Sequence, residues 1–269
     1  MKAFFTDLDD TLFTTETKLV TPKTAEAIRA FEARGNIFAA NSGRTLLSMQ
    51  QALEQAGFRF SEKSIIISYN GSQISEYGSG KVLASLRLKR SICRVIFEEA
   101  AKAGLYCQSY QSDDTIVSPG DCEAFRGYRK YNRLPVVFSN YPVSLLDCDP
   151  YKVLVIEGEH PEKLDAFKEH MLKLLPGEIS TFRSSAYLLE FVHHDSGKGN
   201  ALKRAAQILG IKPEDTYAAG DAENDISMLQ AAGCGIAMLN AEESVKKAAD
   251  IVTTYDNDHD GLADILNSI

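Results

Sequence analysis

The stretch Thr6-Asp7-Leu8-Asp9-Asp10-Thr11-Leu12 follows directly on the apolar run Ala3-Phe4-Phe5. Such a run reads as a short buried strand. Asp7 then falls at or just past the strand's carboxyl end, where open α/β sheets bind their ligands. Asp7 and Asp9 flank Leu8, so both carboxylates can project to one side while Leu8 anchors in the core. Crowding acids there costs electrostatic repulsion, which a bound cation would offset. Asp7 fits an ionised nucleophile, and Asp9 a carboxyl whose pKa is raised by its neighbour. A helix N-cap is the competing reading, because Asp and Thr both cap helices. The rest of the chain decides between the two.

Downstream, Thr21-Pro22 precedes Ala25, Ile28 and Phe31 at helical spacing, and Gly35 follows. Thr as N-cap, Pro at the first position and Gly beyond the end punctuate a helix. Asn36-Ile37-Phe38-Ala39-Ala40 reads as a second strand and runs into Asn41-Ser42-Gly43-Arg44-Thr45. A helix with Leu46, Met49 and Leu53 on one face comes next, ended by Gly57. A polar, glycine-containing loop at a helix start can offer a hydroxyl and backbone N–H groups to an anion. It can equally be a routine capped turn. Ser64-Ile65-Ile66-Ile67-Ser68 is a third strand, and Asn70-Gly71 signals a turn into a polar hairpin that runs toward Leu86. Asn70 either touches a substrate or serves that turn.

From about Leu86 the pattern changes. A helix is expected over Lys89–Ala103, strands over Leu105–Gln111 and Thr115–Ser118, and a helix over Glu123–Tyr131. Lys152–Glu157 reads as a strand, Pro161–Leu175 as a helix, and Glu178–Arg183 and Tyr187–His193 as two more strands. This is an α+β unit with much hairpin character. His193 and His194 sit at its end, and a metal role is open to them. Adjacent residues on a strand face opposite ways, however, so a surface or pocket-rim role is expected.

Gly197-Lys198-Gly199-Asn200 opens a helix carrying Ala201, Leu202, Ala205, Ile208 and Leu209, closed by Gly210. Lys198 lies in the first turn, where acidic residues are electrostatically preferred, which hints at another job for a cation there. A solvated lysine is the alternative. A strand over Thr216-Tyr217-Ala218-Ala219 then leads into Gly220-Asp221-Ala222-Glu223-Asn224-Asp225 and a helix with Ile226, Met228 and Leu229. Asp221 and Asp225 are one helical turn apart and can face the same side. Cys234–Leu239 and Asp250–Thr254 read as strands, Ala241–Ala249 and Gly261–Ile269 as helices. Residues 1–85 and 191–269 therefore form one βα-alternating core, with residues 86–190 inserted as a second domain.

The 269 residues are 44% hydrophobic and 25% charged, ordinary for a globular protein. A net charge of −8 argues against a broad nucleic-acid surface, which needs a basic stripe. It leaves room for a small anionic substrate held by a few focused groups. The five cysteines are scattered without a CxxC, so neither a zinc site nor a disulfide framework is suggested. Free thiols, no signal peptide and no membrane-spanning run make a cytoplasmic enzyme the expectation.

Four polar positions now fall at strand ends or helix starts of the core: Asp7 with Asp9, Ser42, Lys198, and Asp221 with Asp225. Together they resemble the four motifs of the haloacid dehalogenase superfamily of phosphotransferases. The match spans essentially the whole chain, and the pairing of DLDDTL with GDAENDISML is highly specific. The large insertion, and the Gly-Ile-Ala-Met-Leu-Asn-Ala run at Gly235–Ala241, look like the Cof-like sugar-phosphatase branch.

The resemblance implies an α/β fold, a Rossmann-like parallel-sheet core with an inserted α+β cap domain that sets substrate specificity. It implies Asp7 as the nucleophile that forms an aspartyl-phosphate, and Asp9 as general acid and then base. Ser42 and the Gly43 N–H would hold phosphoryl oxygens, and Lys198 would neutralise charge. Mg²⁺ would be held by the Asp7 carboxylate, the Asp9 backbone carbonyl and Asp221, with Asn224 and Asp225 orienting phosphate and supporting the metal shell. The implied activity is Mg²⁺-dependent hydrolysis of small phosphorylated metabolites, sugar phosphates foremost, by a monomer or homodimer. A phosphomutase and a non-catalytic phosphometabolite-binding regulator are the alternatives. Three departures stand out: Ser42 where Thr is commoner, Asp10 in place of a frequent glycine, and Asn41 in place of a small apolar residue, which would alter the pocket floor. No motif in the cap identifies a substrate.

Overall fold

The computed structural model describes residues 1–130 and 132–269; the expected helix end at Tyr131 lies outside them. The chain divides into two compact units. The first comprises Met1–Arg44, Met49–Ser85 and Gly197–Ile269, the second Thr45–Ser48 and Leu86–Ser196.

In chain order the first segment supplies β1 (Ala3–Thr6), α1 (Pro22–Ala33), β2 (Ile37–Asn41), α2 (Leu46–Gln55), β3 (Ile65–Ser68), β4 (Gln73–Glu76) and β5 (Val82–Ser85). The inserted segment supplies α3 (Arg90–Lys102), β6 (Tyr106–Tyr110), β7 (Ile116–Ser118), α4 (Glu123–Arg129), β8 (Val136–Phe138), β9 (Lys152–Ile156), α5 (Glu162–Leu174), β10 (Ile179–Ser185) and β11 (Leu188–His193). The chain then continues through α6 (Lys198–Leu209), β12 (Thr216–Gly220), α7 (Ile226–Ala231), β13 (Cys234–Ala237), α8 (Glu243–Ala248), β14 (Ile251–Val252) and α9 (Gly261–Ser268).

The first unit holds an eight-stranded sheet in the order β14-β13-β12-β1-β2-β3-β4-β5. β1 is central and pairs in parallel with both β12 and β2, Ala3 lying opposite Thr216 and Ile37. β3 continues the parallel set, while β4 and β5 close the edge antiparallel. A parallel sheet with both faces covered demands continuous apolar strands, and every residue of β1, β2 and β3 is buried. Phe4 stacks on Phe38 at 5.7 Å between ring centroids and meets Phe31 of α1 edge-on at 6.2 Å. The Thr21 hydroxyl caps α1 by accepting the Thr24 N–H, with Pro22 behind it. Because the central strands run the same way, their carboxyl ends share one edge, and Asp7, Ser42 and Asp221 all follow strands that end there.

The α/β core expected from the βα alternation is present. Asn70-Gly71 is not a two-residue hairpin turn. Tyr69, Asn70 and Gly71 form a short 3₁₀ turn with all three φ values positive, at +54°, +53° and +87°. Gly71 is obligatory there, since a Cβ would lie 2.5 Å from the Gly197 carbonyl oxygen. The last strand is shorter than expected, covering only Ile251–Val252.

The second unit holds a six-stranded sheet in the order β10-β11-β9-β6-β7-β8, antiparallel except between β7 and β8. α3 and α5 cover one face, where Ile96, Leu164 and Phe167 pack on Val153, Val155 and Phe191. Phe125 of α4 packs with Tyr110, Ile116 and Leu134 in a second cluster. β8 was not foreseen. It is three residues long and largely exposed, so it carries no burial pattern to read.

α6 and α7 approach each other closely enough that a Cβ on Gly199 would sit 2.2 Å from the Ser227 carbonyl oxygen. That contact is backbone, so relief requires moving a helix. Gly199→Ala is therefore expected to lower unfolding stability by about 1–3 kcal/mol, the scale of overpacking, as measured by urea denaturation. A midpoint equal to wild type would mean that the two helices tolerate a wider separation.

Candidate active site

All of the site described here belongs to the first unit. The Asp7 N–H still donates to the Ala219 carbonyl at 3.1 Å, so the sheet ladder carries Asp7 one residue past β1. The chain then turns tightly over Leu8–Leu12, closed by the Phe13 N–H on the Leu8 carbonyl at 2.8 Å. Leu8 and Leu12 are buried, and Asp10 takes a left-handed conformation at φ +57°. Two distant amides hold the turn: Asn240 donates to the Asp10 carbonyl at 2.8 Å and Asn257 to the Phe13 carbonyl at 2.9 Å.

Lys198 enters from the first turn of α6 and is 1% exposed. Its Nζ lies 2.8 Å from Asp7 Oδ1 and 2.6 Å from Asp225 Oδ1. The other oxygen of Asp225 accepts the backbone N–H groups of Asp221 and Ala222, both at 3.1 Å. Gly220 makes this possible, because a Cβ there would lie 2.4 Å from the Cβ of Asp225. Asp221 Oδ1 accepts the Thr11 hydroxyl at 2.6 Å. One carboxylate oxygen from each of Asp7, Asp221 and Asp225 lies within 4.8 Å of the other two. The acidic cluster expected from the sequence is thus assembled, with Asp225 as its third member.

Three carboxylates surround one ammonium, and the titration behaviour reflects it. Burial pushes the Asp7 carboxyl well above the usual range; Lys198 opposes this, while Asp225, Asp221 and Asp9 add to it. Burial, with Asp225 adding, pushes Asp221 up to about 7 against the Thr11 hydrogen bond and Lys198. Burial works against the charge on Lys198, yet Asp225 and Asp7 outweigh it and hold the ammonium well above its ordinary range.

Asp9, expected to be raised by its neighbour, is instead lowered, while burial raises Asp7, read from the sequence as an ionised nucleophile. Burial would raise Asp9 too, but the Arg44 guanidinium outweighs it and lowers the pKa. Arg44 Nε lies 2.7 Å from Asp9 Oδ2 and its Nη2 2.8 Å from Oδ1, a bidentate pair. Spacing along the strand brings the two acids near each other. It does not reveal that one meets a guanidinium while the other is buried.

Ser42 donates its N–H to the Ile67 carbonyl at 2.9 Å, and its hydroxyl accepts the Arg44 N–H at 3.2 Å. Gly43 backs onto Asn70, whose Nδ2 would stand 3.0 Å from a Cβ at that position. The Asn70 N–H donates to the Ser42 carbonyl at 3.1 Å, and its carbonyl accepts the Gly197 N–H at 2.7 Å. Asn70 therefore ties the loops after β2 and β3 to the start of α6. Asn224 is half-buried on the 3₁₀ turn Glu223–Asp225.

Asn41 does not form an altered pocket floor. It is fully buried, and its Nδ2 donates to the Lys198 carbonyl at 3.1 Å and faces Met228 Sδ at 3.3 Å. It fastens the end of β2 to the turn that presents Lys198. Arg44 and Thr11 were the residues whose part the sequence reading missed. Both lie inside the quoted motifs, but their partners are distant in the chain and no spacing rule connects them.

Among the described residues, no helix is long and apolar enough to cross a membrane. The sequence pattern of the haloacid dehalogenase-like hydrolases matches residues 4–266. The 5-amino-6-(5-phospho-D-ribitylamino)uracil phosphatase YwtE of Bacillus subtilis is 27% identical, over 100% of this chain and 98% of its own length. A haloacid dehalogenase-like hydrolase from Bacteroides thetaiotaomicron superposes with a TM-score of 0.86 at 28% identity, covering 99% of this chain and 98% of its own. Another from B. subtilis superposes at 0.85 with 26% identity, covering 100% of both chains. With that pattern spanning nearly every residue and the acidic cluster in place, this chain belongs to the haloacid dehalogenase-like hydrolases.

Proposed function

We propose that this protein is a Mg²⁺-dependent phosphatase of small phosphorylated metabolites, with sugar phosphates and related polyol phosphates as the favoured class. The observation that carries the reading is the Lys198 ammonium bridging Asp7 and Asp225, with Asp221 alongside. The relative named for a phospho-ribityl substrate supports the substrate class.

A divalent cation fits the residues present. The donors are all oxygen, and three carboxylates less one ammonium leave two negative charges unbalanced in a mostly buried cluster. Hard oxygen donors that leave room for water and a phosphate suit Mg²⁺. Asp7, Asp221 and the Asp9 carbonyl would hold it. Asp225 already has both oxygens engaged, by Lys198 and by two backbone N–H groups, which suits a positioning role. The bound cation would supply positive charge beside the phosphoryl oxygens.

Asp7 attacks phosphorus in line; the bond from phosphorus to the leaving alcohol breaks as the bond to the Asp7 carboxylate forms. Asp9 gives its proton to the departing oxygen. It does so after exchanging its bidentate Arg44 partner. Ser42, the Gly43 N–H and Asn224 hold the phosphoryl oxygens, and Lys198 balances charge on Asp7 and the group in transfer. Water then attacks the aspartyl-phosphate, Asp9 takes its proton, and phosphate leaves with the Asp7 carboxylate restored. Specificity is assigned to the inserted domain, residues 86–190.

Three measurements test this. Asp7→Asn should lower release of inorganic phosphate from a sugar-phosphate panel by roughly 10³-fold or more, the scale of losing a covalent nucleophile. Activity near wild type would end the assignment. Chelation with EDTA should abolish turnover and added Mg²⁺ restore it; full turnover in EDTA would remove the metal from the reading. The third reads stability. The raised pKa of Asp221 means that stability present at low pH is lost as pH climbs through about 7. Asp221→Asn should therefore melt a few degrees above wild type in metal-free buffer at pH 7.5, about the shift that 1 kcal/mol makes in a chain this size. It should also lose the stabilisation that Mg²⁺ confers on wild type. A variant that melts lower without metal, or gains equally from Mg²⁺, would contradict the charge-imbalance argument.

A further inference from the structure

The histidine pair at the end of the inserted segment does not behave as strand geometry alone predicts. β11 ends at His193, and His194 lies beyond it. The two imidazoles fall on the same side and stack, with centroids 4.2 Å apart and planes inclined by 29°. This removes the argument that adjacent strand residues must face apart. Asp195 joins them, its Oδ2 being 3.3 Å from His194 Nε2. One ligand atom from each of His193, His194 and Asp195 lies within 4.8 Å of the other two.

The backbone that presents these groups is held in place. The Ser196 N–H donates to the His193 carbonyl at 2.9 Å and closes a turn. The Ser180 hydroxyl donates to the His194 carbonyl at 2.7 Å, from the neighbouring strand. The Asp195 N–H donates to His193 Nδ1 at 3.2 Å, which orients that ring. The ligands are thus pre-gathered on an ordered turn, and only side-chain rotations remain. The side chains of His194 and Asp195 are 44% and 58% exposed, so water can reach them to complete a metal's shell. Zn–N and Zn–O bonds of about 2.0–2.2 Å in a tetrahedral site put ligand atoms roughly 3.4 Å apart. The cluster needs to contract by little more than an ångström.

We propose that His193, His194 and Asp195 form a second cation site, distinct from the carboxylate cluster, which binds a borderline-soft divalent transition metal of the Zn²⁺ type. Two imidazoles and one carboxylate, with water completing the shell, select such ions over Mg²⁺. The all-oxygen cluster of Asp7, Asp221 and Asp225 has the opposite preference, so the chain separates two kinds of cation by donor chemistry. The site lies in the residues that lead directly into Gly197 and Lys198. A metal there would stiffen the stretch of chain from which the catalytic lysine is presented.

The test is calorimetric titration of Zn²⁺ into the full, tag-free chain with Mg²⁺ in large excess. Wild type and Asp221→Asn should each bind one Zn²⁺ per chain with similar affinity. His194→Ala and Asp195→Ala should each weaken that binding by about tenfold or more. His194 is exposed and outside the proposed catalytic set, so its variant should fold and keep phosphatase activity in Mg²⁺ alone. The proposal is overturned if wild type takes up no Zn²⁺ under these conditions or if His194→Ala binds it as wild type does. Loss of the Zn²⁺ in Asp221→Asn would overturn it too, by assigning the ion to the carboxylate cluster. None of these results depends on whether the protein hydrolyses any phosphate ester.

Discussion

A buried ammonium shared between two carboxylates organises the first unit. Lys198 reaches Asp7 from α6 and Asp225 from the turn before α7, at 2.8 and 2.6 Å, with almost no exposure to solvent. Removing one partner of such a pair leaves an uncompensated buried charge, which costs several kcal/mol. α6, β1 and the turn before α7 are therefore held to one geometry. The arrangement is also unbalanced, since Asp221 adds a third carboxylate within reach of the others. Burial raises Asp7 and Asp221, and the neighbouring carboxylates add to it. Sites that carry such strain are the ones expected to gain from a bound cation.

The loops around this centre are held by side-chain amides and by the absence of side chains. Asn41, Asn240 and Asn257 each donate to a backbone carbonyl far away in sequence, and Asn70 bridges through its own backbone. Loops at a sheet edge leave carbonyls without ladder partners, and these amides satisfy them without adding charge to a crowded site. Gly220 and Gly71 admit groups that a Cβ would displace, the Asp225 carboxylate in one case and the Gly197 carbonyl in the other.

The second unit follows different rules. Its mostly antiparallel sheet buries one face against α3 and α5, and it carries a polar cluster built from strand residues and Tyr128 of α4. Lys152 and Glu190 form an ion pair at 3.0 Å with both side chains 4% exposed. Gln108 donates to the Tyr110 hydroxyl at 2.8 Å, and that hydroxyl meets the one on Tyr128 at 2.9 Å. Nothing in the sequence announced this cluster, because it forms only where β6, β9 and β11 pair and bring residues distant in the chain together.

What the sequence determined by itself was local or periodic. Apolar runs such as Ala3–Phe5 and Ile65–Ile67 marked the parallel strands, Thr21-Pro22 marked a helix start, and the grouping of DLDDTL with GDAENDISML marked the family and the acidic cluster. These features are legible because burial and capping act over a few residues, and because each motif contains its own functional atoms. The tertiary structure alone decided partners: that Arg44 takes Asp9 and lowers its pKa where a raised one was expected, that Asn41 fastens Lys198 instead of flooring a pocket, and that His193 and His194 stack on one side. Each depends on where a side chain points once distant segments meet. The free energy that chooses that direction comes from neighbours the linear order does not name.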